Sequence, residues 1–102
     1  MPAPGLHERE VQKIFRAEGK RRGITSHKIG GQMHRGIWDL LLLGDGWSAY
    51  VEVKRDIGVL SQLQEQFGEE LARAHVRHHV FHGAFTREET KKKARAWFEA
   101  HT

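Results

Sequence analysis

Asp39, Glu52 and Lys54 are the residues whose types and spacing could do chemistry. They lie in the run IWDLLLLGDGWSAYVEVK, where two apolar stretches flank Gly44-Asp45-Gly46. Asp-Gly between such stretches is a strong short-range hairpin signal. If Asp45 and Gly46 are the central residues of a type I′ turn, Gly44 opposes Trp47 and the pairing runs back in step. Asp39 then falls opposite Glu52, and Ile37 opposite Lys54. Directly opposed side chains have Cβ atoms ~4.5–5.5 Å apart, and like charges there repel. Two carboxylates on strands this apolar need a cation to offset the repulsion and the desolvation. Oxygen ligands suit Mg²⁺ or Mn²⁺ rather than zinc. Lys54, two residues along the same face, places an ammonium where it could meet a phosphate oxygen or a bound water. The plainer alternative is an ordinary strand, since Glu-Val-Lys alternates like many others and a loop one residue longer would put Glu52 out of register.

Hydrophobic periodicity indicates the elements that must position these groups. Leu6, Val11, Ile14, Phe15 and Ala17 fall near helical spacing, so an amphipathic helix is expected from about Leu6 to Arg22. A short edge strand near Ile24–Ile29 follows, then a mobile loop around Gly30-Gly31. In the hairpin, Ile37, Asp39, Leu41 and Leu43 share a face with Ser48, Tyr50, Glu52 and Lys54. Leu41, Leu43 and Tyr50 on that face can be buried under a helix. The other face collects Trp38, Leu40, Leu42, Ala49, Val51 and Val53, and helices must cover it. Ser61 begins a helix to about Ala74, with Leu60, Leu63, Phe67 and Leu71 on one side. Val76–His82 reads as a strand. Thr86-Arg87-Glu88-Glu89 is a capping box opening a last helix, which Trp97 and Phe98 pack onto the body or a partner. The expected fold class is α/β: a mixed central sheet flanked by helices, in the order αβββαβ plus a C-terminal helix.

The chain of 102 residues, 38% of them apolar, predicts a single domain over 1–102 with one modest core. The absence of cysteine excludes a disulfide scaffold and a thiolate zinc site. The opening MPAPGLHERE holds no apolar core of signal-peptide length, and no stretch approaches the ~18 apolar residues of a membrane span. A cytoplasmic location without a membrane partner is therefore expected. Residues 1–36 carry 8 basic and 3 acidic side chains, residues 37–90 carry 5 and 9, and residues 91–102 carry 4 and 1. Basic ends thus flank an acidic middle. Lys20, Arg21 and Arg22, and Lys91, Lys92 and Lys93 with Arg95, are solvated faces by default and phosphate contacts if a polyanion is bound. His75, His78, His79 and His82 cannot converge on one metal, because a strand turns His79 away from His78 and His82 and leaves His75 in the preceding turn.

Gly36-Ile37-Trp38-Asp39, then Glu52-Val53-Lys54, then Gly58-Val59-Leu60-Ser61-Gln62-Leu63-Gln64 together resemble the PD-(D/E)XK nuclease superfamily. Within it, the pattern is similar to the small stand-alone VRR-NUC (virus-type replication-repair nuclease) domains, which are akin to Holliday junction resolvases. Trp38 stands where that family usually has Pro, and His75 where it often has Gly. The resemblance implies a restriction-endonuclease-like core. It implies Asp39, Glu52 and the Val53 backbone carbonyl as ligands of Mg²⁺ or Mn²⁺, and Lys54 as the catalytic lysine. Gln64 would complete the site, or serve only as the capping-box partner of Ser61. Glu8, or alternatively Glu10, would be the acidic residue of the first helix, where the helix dipole alone already favours carboxylates. Lys20, Arg21, Arg22, Arg35, Arg55, Lys91 and Lys92 would meet DNA. The implied activity is metal-dependent endonucleolytic hydrolysis of branched DNA such as four-way junctions, by a homodimer in viral or bacterial-type DNA repair and recombination. A non-catalytic DNA-binding module on the same fold is the alternative.

Overall fold

In the hairpin, Gly44 pairs with Trp47, Leu43 with Ser48, Leu42 with Ala49, Leu41 with Tyr50 and Leu40 with Val51, the register expected from Asp45-Gly46. The turn itself differs from the expected type I′, which needs positive φ at both central residues. Only Gly46 takes it, at φ 70°, so a turn of another type sets the same register. The computed structural model describes residues 5–30 and 35–102. Its elements are α1 (Glu8–Arg21), β1 (Thr25–Lys28), β2 (Leu40–Gly44), β3 (Trp47–Lys54), α2 (Gln62–Arg73), β4 (His78–His82) and α3 (Arg87–His101). The strands form one mixed sheet in the order β1-β2-β3-β4, antiparallel except for the parallel β3–β4 pair. This is the expected α/β order. Of the loop expected around Gly30-Gly31, residues 31–34 lie outside the described residues.

The apolar face of the hairpin is covered as its composition requires. Leu40, Leu42, Val51 and Val53 form one buried cluster with Val11, Ile14 and Phe15 of α1, Phe81 of β4, and Ala94 and Phe98 of α3. Phe15 is the hub, with ring centroids 4.7 Å from Phe81, 4.8 Å from Phe98 and 5.1 Å from Trp97. Trp97 and Phe98 therefore pack α3 onto its own chain. Helix α3 begins at Thr86, whose side chain accepts the Glu89 N–H at 3.2 Å.

The opposite face carries α2 alone, through Phe67, whose ring centroid is 5.8 Å from Tyr50 and 6.4 Å from Trp38. Trp38 thus departs from the expected alternation and lies under α2, where its Nε1–H donates to the Gln64 carbonyl at 2.9 Å. The reason is that β2 begins only at Leu40, so strand alternation does not reach residues 37–39. Nor is Ile37 paired with Lys54. This face is sparsely covered: Leu43 stays exposed, Leu41 and Tyr50 are half-buried, and Leu71 is the buried residue of α2.

Gly36 shows why the chain can enter β2 at that angle. It sits at φ 86°, and a Cβ there would stand 2.9 Å from the Leu63 Cβ and 3.0 Å from the Leu63 carbonyl. Only glycine takes this backbone at no steric cost. The close approach brings the segment holding Asp39 against the first turn of α2.

Candidate metal centre

Glu52 is the most buried charged side chain of the chain's described residues, at 1% exposure in the middle of the sheet. Three donors hold its carboxylate. Oε1 accepts the Asp39 backbone N–H at 3.0 Å, and Oε2 accepts Gln64 Nε2–H at 3.0 Å. The Lys54 Nζ lies 3.4 Å from Oε2. The Asp39 carbonyl in turn accepts N–H bonds from Ile29 at 2.8 Å and Gly30 at 3.3 Å, which tie its backbone to the end of β1. Asp39 is held beside Glu52 by these backbone bonds rather than by strand pairing.

The third carboxylate comes from α1. Glu8, its first residue, points an oxygen at the same place, so that single carboxylate oxygens of Glu8, Asp39 and Glu52 all lie within 4.8 Å of one another. Glu8 Oε1 is buried without a hydrogen-bond partner among the described residues and is 3.5 Å from Lys54 Nζ. Glu10 is committed elsewhere: it accepts the His7 N–H at 3.4 Å and pairs with Arg87 at 3.2 Å. Of the two alternatives, the structure brings Glu8 to the cluster and leaves Glu10 out.

Electrostatics matches this crowding. Burial, and then the Asp39 carboxylate, push the Glu52 carboxyl up to about 7 from its ordinary 4.5, against the opposing pull of the Asp39 N–H and Lys54. A divalent cation would relieve both causes at once, by supplying positive charge where desolvated oxygens repel. Three carboxylates placed in this way could hold a metal ion.

Gln64 both caps α2 and reaches Glu52. Its Oε1 accepts the Ser61 N–H at 2.9 Å and its N–H donates to Ser61 Oγ at 3.2 Å, completing the capping box. The amide nitrogen left over is the one that reaches Glu52. The Val53 carbonyl faces the β2 side of β3 by alternation. Tyr50 N–H and Lys54 C=O bond outward to Arg77 and Gly83 on the β4 side, so the odd-numbered backbone groups of β3 face β2. Val53 is two residues past Val51, where the β2–β3 ladder ends.

His82 was legible only as a strand histidine facing away from His79. The parallel register sets it beside Lys54, and its Nε2 meets the Gly58 carbonyl at 2.9 Å, pinning the loop that follows the lysine. The expected mixed sheet implies a parallel pair, but no sequence signal gives the register that seats His82 opposite Lys54. His79 packs edge-on on the other face, its ring centroid 4.4 Å from the His101 ring and 5.4 Å from Trp97. Among the described residues, Glu8, Asp39 and Glu52 are the one group of three or more such side chains that could hold a metal.

The basic residues divide. Arg35 and Arg55 lie within four residues of Asp39 and Lys54 in the chain, and Arg55 is 4.0 Å from Asp56. Lys20, Arg21 and Arg22 sit at the far end of α1, ~18–21 Å from Glu8 at the helical rise per residue. There Arg21 and Arg22 pair with Glu18, at 3.6 and 3.8 Å. Lys91 pairs with Glu88 at 3.8 Å, and Lys92 is exposed.

The two Glu residues of α1 offer a test of the cluster. Glu8→Gln is expected to weaken Mn²⁺ binding about tenfold, the usual worth of ~1.4 kcal/mol, while Glu10→Gln leaves it unchanged. Titration calorimetry with Mn²⁺ on both variants measures this, and equal losses would remove Glu8 from the site.

Compared with protein-family models, curated proteins and solved structures, the chain matches none.

Proposed function

We propose that the chain is a Mg²⁺- or Mn²⁺-dependent endonuclease of the PD-(D/E)XK kind, with a restriction-endonuclease-like core similar to the VRR-NUC domains. The observation that carries this reading is the convergence of Glu8, Asp39 and Glu52 on one point beside Lys54, from α1, the segment before β2, and β3. A cation bound there would supply Lewis-acid charge to a scissile phosphate and acidify a water. Lys54 Nζ, held 3.4 Å from Glu52, is positioned to orient that water or to stabilise negative charge developing on the phosphoryl oxygens. Glu8 and Asp39, with Glu52, would hold the cation that meets the phosphate. Gln64 and the Asp39 N–H hold the Glu52 carboxylate in one orientation, so that little is left to reorganise during reaction. Water attacks phosphorus and the P–O3′ bond breaks, leaving a 5′-phosphate and a 3′-hydroxyl.

The substrate proposed is branched DNA. A domain of 102 residues leaves little surface of its own for reading base sequence, whereas shape can be read with few contacts. A four-way junction has two-fold symmetry, which a C₂ homodimer would match with two sites on corresponding strands. One observation favours a non-catalytic DNA-binding role instead: Lys54 already pairs with both Glu8 and Glu52, as a purely structural ion cluster would.

Incubation of a labelled four-way junction and a matching linear duplex with Mg²⁺, Mn²⁺ or chelator separates these readings on a denaturing gel. Paired, symmetric nicks in the junction alone, lost in chelator, are the expected result. Cuts in both substrates would keep the nuclease and discard the preference. A junction bound on a native gel but never cut would leave only the binding role.

A further inference from the structure

The guanidinium of Arg16 meets neutral oxygens. Its Nε–H donates to Ser26 Oγ at 2.8 Å and its Nη2 to the Ser26 carbonyl at 3.2 Å. These bonds tie α1 to β1, and a groove of about 420 Å³ opens beside them. Its walls include Arg16, Lys20, Ser26 and His27, and no carboxylate lines it. Ser26 and Lys28 share one face of β1 by alternation, so Lys28 carries the groove on toward the carboxylate cluster. Lys28 pairs with Leu40, next to Asp39, and the N–H groups of Ile29 and Gly30 donate to the Asp39 carbonyl. Among the described residues, none of Arg16, Lys20, His27 and Lys28 takes part in an ion pair. Glu18, the carboxylate that follows Glu10 along α1, is engaged by Arg21, Arg22 and Arg95 at 3.6, 3.8 and 3.8 Å.

We propose that this groove between α1 and β1 binds the phosphates of one DNA strand and leads that strand to the carboxylate cluster. The inference rests on the nuclease reading above and names the path its substrate takes. Charge decides the occupant. The cluster is acidic and its lysine is paired with Glu8 and Glu52, so a polyanion must be held from outside it. The groove offers uncompensated cations for that purpose, as phosphate binding requires. Length agrees. From Glu8 to Lys20 the helix rises ~18 Å, over which one strand of duplex DNA presents about five phosphates. A strand from a second copy of the chain fits poorly. The Ile29 N–H faces β2, so alternation turns the Ser26 carbonyl to the outer edge of β1, where Arg16 already occupies it. An edge lysine such as Lys28 also deters strand pairing. Arg21 and Arg22, engaged by Glu18, stand outside the path. Contacts of this kind position a strand without reading its bases.

The test titrates a junction and a linear duplex against salt with Asp39→Asn protein, alone or carrying Lys20→Gln and Lys28→Gln. A third protein carries Lys91→Gln and Lys92→Gln on α3 as a charge-matched comparison, and cleavage by the wild-type chain is measured in parallel. Lys20 and Lys28 are exposed, and Gln keeps most of each stem, so the fold is preserved. The groove pair should weaken binding of both DNAs roughly tenfold or more at 0.1 M salt and lower the salt slope by ~1 per lysine. The α3 pair should change the slope less than half as much. Three neutral methylphosphonates walked along the cut strand should weaken binding at one position close to the cut, and have no effect there once Lys20 and Lys28 are replaced. Equal losses in the two pairs, or an unchanged slope, with wild-type cleavage intact, would overturn the groove and keep the nuclease. A sensitive position far from the cut would overturn the path. Slope lost in the groove pair alone, with no cleavage by the wild type, would overturn the nuclease reading and leave the phosphate site standing. Absence of both cleavage and DNA binding in the wild type would overturn both.

Discussion

Asp39→Asn is expected to lower DNA cleavage about a thousandfold or more while leaving junction binding intact. Asn keeps the size and backbone of Asp39. The structural work of that residue is done by its backbone, through the N–H donated to Glu52 at 3.0 Å and the carbonyl that accepts from Ile29 and Gly30. What the substitution removes is one of three anionic oxygens converging within 4.8 Å. A cation that stabilises phosphoryl charge contributes several kcal/mol to catalysis, and each 1.36 kcal/mol is about tenfold in rate. Binding to a polyanion loses nothing when a negative charge leaves the site. Initial rates on a labelled junction in Mg²⁺, beside a native-gel titration, measure both quantities. Cleavage retained in a clean preparation of the variant would sink the assignment of Asp39.

The second large effect concerns Glu52 without metal. A carboxyl held at about 7 in the folded chain and at its ordinary 4.5 when unfolded makes folding oppose ionisation. Between those values the folded chain retains a proton that the unfolded chain has released, so this group's contribution to stability falls as pH rises from about 4.5 to about 7 and is flat above. The difference corresponds to ~3 kcal/mol. Glu52→Gln carries no such charge. Its amide would face the Gln64 amide nitrogen and Lys54, which offsets part of the gain. In chelator, the variant is therefore expected to gain on the wild type by about 1–3 kcal/mol between pH 4.5 and 8, or roughly 5–15 °C in melting temperature.

His79 acts with the opposite sign. Burial and then His101 lower its pKa below 6.5, so its contribution is lost as pH falls through that range, but it is common to both chains and cancels in their difference. Addition of Mn²⁺ at pH 8 should reverse the order, stabilising the wild type by mass action and leaving the variant unmoved. Because the ligand must be deprotonated, that stabilisation should fade below pH 7. Unfolding curves that run parallel for the two chains at every pH would show that Glu52 is not strained by its neighbours.

How far these features were legible follows from the kind of interaction behind each. Helix α1, the cap at Thr86, the hairpin register and the nearness of Asp39 to Glu52 are local in the chain. Hydrophobic period and turn residues act within a few positions, and Asp-Gly between apolar runs leaves little choice of pairing. The turn type is not fixed by the sequence, because more than one turn geometry joins the same register, with Gly46 alone supplying the positive φ. Trp38 was misplaced because alternation holds only where a ladder exists, and β2 begins two residues later.

Composition and spacing by themselves determined the α/β order, the apolar face of the hairpin and the candidate set of Asp39, Glu52 and Lys54. Only the tertiary structure decided between Glu8 and Glu10. Both lie in the first turn of α1, and the docking of α1 against α3, with Arg87 taking Glu10, turns Glu8 toward Lys54. The same is true of Gln64, whose cap and whose contact with Glu52 coexist because α2 crosses back over the sheet at that point. The parallel β3–β4 pairing that seats His82 beside Lys54 likewise joins segments separated by a whole helix. Such contacts depend on how faces bury against one another across the molecule, and no local pattern of residue types encodes that choice.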